Sequence, residues 1–193
     1  KYKTESAFMH LNLHDSRKNT QDRSNVDASK SHLNHTLIKN PYTSQSHFLK
    51  QKAHELRDAN SKHATKHRMI KEGASTFFSL VIQATNTALR YEEHQAFLNE
   101  CFLCLKEHFK SQELLQATIH NDETTPHLHL KIAFFDNEKK KFNQKELLLS
   151  KHDRLETLFE VLRPIYQKFS LEKPPTLEER IDKLEDTVLQ EQL

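Results

Sequence analysis

The stretch His120-Asn-Asp-Glu-Thr-Thr-Pro-His-Leu-His129 limits what this chain can fold into more than any other. On both sides of it the sequence alternates. Leu115, Ala117 and Ile119 interleave with polar residues up to His120, and Leu128, Leu130, Ile132 and Phe134 interleave with His127, His129 and Lys131. A period of two is that of a strand, whose successive side chains leave opposite faces. Two strands with apolar faces turned to a core are therefore predicted. Asn121, Asp122, Thr124 and Pro126 between them are turn formers, so the strands pair as a hairpin. That pairing sets His120 beside His127, with His129 on the same face.

Neutral imidazoles converging from one sheet face suit a divalent transition metal. With no fourth protein ligand in the stretch, His120, His127 and His129 would leave coordination positions open, as a catalytic metal requires. The plainer alternative is a set of surface or hydrogen-bonded histidines in a chain that holds 14 of them. Matched placement on paired strands favours the metal.

At 193 residues the chain is long enough for one domain with a full core. Its composition, 35% hydrophobic with a single glycine, predicts a globular, helix-rich α+β protein. No run is apolar enough to span a bilayer and no signal peptide is visible. Cys101 and Cys104 form a lone CxxC within an apolar helical pattern, which reads as free thiols in a reducing compartment rather than a zinc or redox site. The net charge of +2 conceals an asymmetry. Residues 1–72 carry 14 Lys/Arg against 7 Asp/Glu, and residues 73–193 carry 15 against 20. A basic N-terminal third is suited to lie along a phosphate backbone.

Taken in order, Phe8 to His14 alternates like a strand and ends with His14 on its polar face. Polar residues from His14 to Asn34 read as a loop, either a plain surface connection or a segment that orders on a polyanion. From Ser44 to Glu72 apolar residues fall at helical spacing, with Gly73 as C-cap. Thr76 to Ala84 reads as a buried strand and Thr87 to Lys110 as an amphipathic helix. Asp136 to Lys139 is a turn leading to a short element at Phe142. Lys145 to Phe169 reads as a helix interrupted or kinked near Pro164. After Pro174-Pro175 a last helix carries Leu177, Ile181, Leu184 and Val188 at coiled-coil spacing. That seam fits a dimer contact and a docked terminal helix equally well.

Two of these stretches resemble the motifs of the Mob/Pre, or MobV, plasmid mobilisation relaxases, a branch of the HUH endonucleases. His127-Leu-His129 is similar to the His-hydrophobic-His signature, within the longer His120-x-Asp-Glu-x-Thr-Pro-His-x-His129. His14-x-x-Arg17, Ser24-Asn-x-Asp27 and Ser31-His-Leu-Asn34 resemble the family's first motif, with a shorter middle segment that lacks the usual proline. The resemblance implies an antiparallel sheet with helices on one face and the metal and DNA site on the other. It implies a relaxase domain over residues 1–173, followed by the C-terminal helix of 174–193. The implied activity is strand-specific nicking of plasmid DNA at an origin of transfer, in the bacterial cytoplasm, with Mn2+ or Mg2+ as cofactor. The implied nucleophile is His14, and the implied partners are single-stranded or hairpin origin DNA, a second copy of the chain and the conjugation coupling machinery.

On that reading Glu123 would accept the His14 proton or fix its tautomer, and Asp122 would orient a metal ligand. Arg17, Arg23 and Lys30 would hold phosphates, and Asn25 or Asn34 would touch bases or backbone. Three other functions fit parts of the sequence. A rolling-circle replication initiator would use a tyrosine such as Tyr166, an accessory DNA-binding protein would hold a structural metal, and a metal phosphodiesterase would use water as nucleophile.

Overall fold

The computed structural model describes residues 26–58, 75–84, 89–143 and 151–171, with side chains from 156 in the last stretch. The expected strand Phe8–His14, together with Arg17, Arg23, Asn25, Gly73 and the helix from Leu177, lies outside the described residues. Those described form an antiparallel sheet with strand order β1-β3-β4-β2, and β5 adds to β4 beyond the end of β2. The strands are β1 (His35–Ile38), β2 (Phe77–Gln83), β3 (Gln112–His120), β4 (His127–Asp136) and β5 (Lys141–Phe142). The helices are α1 (Gln45–Asp58), α2 (Tyr91–His108) and α3 (Lys151–Lys168), with a short 3-10 helix at Ala28–Leu33.

The β3–β4 hairpin predicted from the alternation is the centre of this sheet. Its register pairs His120 with His127, Ile119 with Leu128 and Thr118 with His129. Directly opposed residues share a face, so Leu128, Leu130 and Ile132 join Ala117 and Ile119 on one side. There they pack with Phe97, Leu98, Cys101, Phe102 and Leu105 of α2 and with Leu162, Ile165 and Tyr166 of α3. The sequence predicts why: the apolar stripe of α2 repeats at three and four residues and presents one face to the sheet. The Glu93 carboxylate accepts the Arg90 N–H at 2.8 Å, fixing the first turn of α2.

α3 runs on through Pro164 rather than being interrupted there. Proline withholds its own amide from the ladder and crowds the carbonyl one turn back, and burial of the flanking Leu162 and Ile165 in the main core offsets that cost. Ser170 ends the helix in the left-handed region at φ 52°. The amides of Ser170 and Leu171 donate to the Gln167 and Tyr166 carbonyls at 3.0 and 2.8 Å, and buried Leu171 seals the turn.

α2 and α3 occupy one face of the sheet, as expected, but α1 lies against the other. Phe48 and Leu56 of α1 are buried with Phe77, Leu115, Ala133 and Phe135 in a second, smaller core. Leu115 is there because of a bulge. Leu114 opposes Ile132 and Gln116 opposes Lys131, so β3 spends one extra residue between them. The simple alternation puts Leu115 with Ala117 and Ile119; the bulge instead turns it to the α1 side. β1, four residues long and partly exposed, is a strand the sequence pattern did not disclose.

Candidate metal centre

His127 and His129 leave β4, and His120 leaves β3, on the face opposite the main core. The ring centres lie 5.4 Å apart for His120 and His127, 5.0 Å for His120 and His129, and 4.8 Å for His127 and His129. A divalent metal bound about 2.1 Å from an imidazole nitrogen sits roughly 3.3 Å from the ring centre, so ligands roughly 90–110° apart have centres roughly 4.6–5.4 Å apart. The observed spacing fits that donor set.

A backbone carbonyl orients the His127 ring, and a buried carboxylate lies near His120. His127 Nδ1 lies 2.9 Å from the Thr125 carbonyl. A carbonyl only accepts, so Nδ1 carries the proton and the lone pair is left on Nε2. That Nε2 is 4.0 Å from a Glu123 carboxylate oxygen. His120 is fully buried, and its Nδ1 is 3.7 Å from Oδ1 of the equally buried Asp122. Each of His120, Asp122 and Glu123 also offers a donor atom within 4.8 Å of the others. The two candidate sets share His120. The second oxygen of Asp122, however, accepts from Ser31 Oγ and Asn34 Nδ2, each at 2.7 Å. A carboxylate so engaged has one oxygen left to turn toward His120.

Those two bonds have a second effect. Asp122 ties the segment containing Ser31 and Asn34 to the hairpin turn, and its own carbonyl accepts the Asp27 amide at 2.7 Å. The Asn121 amide donates to Asn34 Oδ1 at 2.6 Å, and Asn121 Nδ2 donates to the Leu33 carbonyl at 2.7 Å. Gln95 of α2 completes the chain by donating to Asn121 Oδ1 at 2.5 Å. Val26 forms an antiparallel bridge with Glu123 just beyond. The polar run read as a loop is thus anchored beside the metal centre where it is described.

Of the residues expected to meet DNA, Asn34 has both ends of its amide engaged in this anchor. Lys30 is exposed on the 3-10 helix and pairs with Asp27 at 3.1 Å. Asp27 caps that helix, and a hydrogen bond from Ser29, then Lys30, holds its carboxyl below the usual range. Ser31, Gln95, Asn121 and the Thr125 carbonyl were not singled out individually as site-building groups by sequence. Their signal was weak, since short polar side chains near turns are common.

Glu123 and His127 also line an open cleft of about 320 Å³ with Val81, Gln83, Thr124 and Thr125. Tyr166 is elsewhere. It is buried in the core on the opposite side of the sheet, edge-on to Phe97 with ring centres 5.2 Å apart. Burial pushes its hydroxyl up to about 12. A tyrosine so placed does not reach the cleft, which removes Tyr166 as the nucleophile of the initiator alternative. The thiols of Cys101 and Cys104 are free, as expected.

The fold is that of a DNA relaxase domain. A MobM relaxase domain (MOBV; Mob_Pre), solved with manganese and 22 nucleotides of pMV158 origin-of-transfer DNA at pH 5.5, matches with TM-score 0.64 at 20% identity, covering 94% of this chain and 96% of that one. The same domain with a 3′-thiophosphate on its DNA, at pH 6.8, gives TM-score 0.64, 20% identity and coverage of 94% and 95%. A form bound to 26 nucleotides gives TM-score 0.51 at 19% identity over 81% of this chain and 95% of that one. The family model Mob_Pre, described as plasmid recombination enzyme, matches residues 1–173. The chain belongs to that family and is an enzyme of its relaxase class. No curated protein sequence matches it. Among the described residues no helix is long and apolar enough to cross a membrane.

Proposed function

We propose that this chain nicks one strand of plasmid DNA at an origin of transfer, using a divalent metal held by His120, His127 and His129 and His14 as nucleophile. The convergence of three imidazoles beside Glu123 and an open cleft carries this reading. The MobM relaxase domains of like fold are bound to origin DNA, and four of the five compared are Mn-bound, which favours Mn2+ over Mg2+. A metal bound at the site supplies charge stabilisation at a non-bridging oxygen of the scissile phosphate.

The remaining chemistry falls to the chain's own residues. The lone pair of neutral His14 forms an N–P bond while the P–O3′ bond breaks; the departing 3′ oxygen takes a proton from water to become the 3′ hydroxyl, and the 5′ phosphate stays on the protein as a phosphoramidate. Glu123 takes the imidazole proton or holds the tautomer that exposes the attacking nitrogen. Asp122 holds His120. Arg17, Arg23, Lys30 and Asn25 contact the DNA, and Asn34 shapes the segment that carries them. Residues 1–173 form the catalytic domain and the helix in 174–193 serves dimerisation or coupling to the conjugation machinery, in the bacterial cytoplasm.

Incubation with Mn2+ and a labelled single-stranded origin oligonucleotide, followed by mapping of the DNA-bearing peptide, tests the reading. An acid-labile, alkali-stable adduct on His14, lost in His14→Ala and retained in Tyr166→Phe, is expected. An adduct on any tyrosine, or free 5′ phosphate with no protein attached, overturns the assigned chemistry.

A further inference from the structure

Val81 and Gln83 lie on β2, the last strand of the sheet among the described residues, directly across from two of the histidines, Val81 opposite His129 and Gln83 opposite His127. Both side chains therefore project to the histidine side of the sheet. Val81 is 57% exposed, one of few large apolar side chains so open among the described residues. A lone exposed valine needs no explanation by itself. Its position does, because it and Gln83 form one wall of the cleft whose other wall is Glu123, Thr124, Thr125 and His127.

The cleft volume of about 320 Å³ falls at the small end of the roughly 300–1,000 Å³ typical of small-molecule sites. It therefore has room for a single nucleotide unit rather than for a duplex. Its walls divide the work in the way a nucleobase demands. Val81 offers an apolar surface to a base face, and the Gln83 amide offers one donor group and one acceptor for a base edge. Bases of single-stranded DNA present their faces and edges to such groups, whereas paired bases do not.

We propose that Val81 and Gln83 form the pocket for the base of one nucleotide flanking the scissile phosphate, with Gln83 setting which base is accepted there. This rests on the relaxase reading of the metal centre and assigns part of its sequence specificity. Both residues act on the DNA directly, and neither is needed to hold the metal.

The full chain is incubated with Mn2+ and a randomised single-stranded oligonucleotide library, and both the adducted and the released fragments are sequenced. Gln83→Ala should lower the base preference at one of the two positions flanking the nick by about 5- to 150-fold, the range of a lost base contact, while preferences elsewhere persist. Val81→Ser should slow nicking whatever base stands there. Leu103→Ser, on the exposed outer side of α2, serves as control and leaves both rate and preference alone. Both cleft residues are exposed enough for these variants to fold, which circular dichroism checks. Adducts with unchanged preferences in Gln83→Ala, or a uniform loss at every position, overturn the inference alone. No adduct from any library member in the wild type overturns the relaxase reading and this inference with it.

Discussion

Along β4 the odd and even residues do opposite things. Leu128, Leu130 and Ile132 vanish into a continuous core under α2 and α3, and Phe134 is buried against Phe78, while His127, His129, Lys131, Ala133 and Phe135 face the other way. On that second face, burial continues but its chemistry changes along the strand. At the far end Ala133 and Phe135 are covered by α1. In the middle, Lys131 is almost wholly buried and donates to Gln116 Oε1 at 2.9 Å. At the near end His127 lines an open cleft. Between these ends, the strand that carries the histidines stays packed through its other face into the main core.

This contrast can be broken by mutation. Ala at His127 or His129 should cut nicking by more than the roughly 10- to 100-fold that loss of a ligand's outer partner costs. The unfolding midpoint should stay near that of the wild type. Ala at Leu130, on the opposite face of the same strand, should cost about 2–5 kcal/mol of stability. Calorimetry beside a plasmid-nicking assay separates the two; equal destabilisation by both would show that the histidines are core residues.

The α1 end of the polar face has its own anchor. Lys52 Nζ lies 2.6 Å from Glu113 and 2.9 Å from Glu55, with the Phe135 ring 4.9 Å from it, and Tyr42 donates to Glu113 at 2.5 Å. Burial, then Glu113, pushes the Tyr42 hydroxyl upward, so it remains a donor. Removing one partner of such a buried pair costs about 3–5 kcal/mol. Lys52→Ala should show that loss in urea unfolding, and Lys52→Met, which keeps the stem packed over Phe135, a smaller one. Equal losses would place the energy in the charge rather than the packing.

Asp122 joins the two kinds of face, being buried like core yet turned to the site. Asp122→Asn should lower Mn2+ affinity about 10- to 100-fold, read by titration calorimetry, with little change in fold. Unchanged affinity would remove Asp122 from the metal centre and leave it as an anchor only. The smallest effect belongs to the core face. Burial first, then the neighbouring Cys104, pushes the Cys101 thiol up to about 12. At pH 8.5 only roughly one molecule in three thousand would carry the reactive thiolate. Cys101 should resist iodoacetamide in the native protein and react once unfolded, as mass spectrometry of the peptide would show.

Much of this was legible in the sequence where one period persisted. The hairpin and its matched histidines follow from a strict alternation flanked by turn formers, and α2 from a long amphipathic stripe. β1 was not legible, because His35-Thr-Leu-Ile38 is too short to establish a period. Nor was the burial of Lys131, since a lysine in alternation with apolar residues reads as solvent-facing until α1 and Gln116 are placed beside it. Asn34 read as a DNA contact because an amide in a polar loop gives no sign of its partners. Those partners, Asn121 and Asp122, lie nearly ninety positions away along the chain.

The bulge at Leu115 sets which changes of length β3 can survive. Upstream of it, the strand's phase is already broken, and an inserted residue can be taken up by shifting or enlarging that irregularity. Between Gln116 and His120 there is no such slack. Loss of one residue there would slide the register by one, turning His120 into the core and Ile119 toward the cleft. Length variation among related chains should therefore collect before Leu115, with the interval from Gln116 to His120 held constant. Counting residues in that interval would separate chains able to assemble this centre from those that merely contain its histidines.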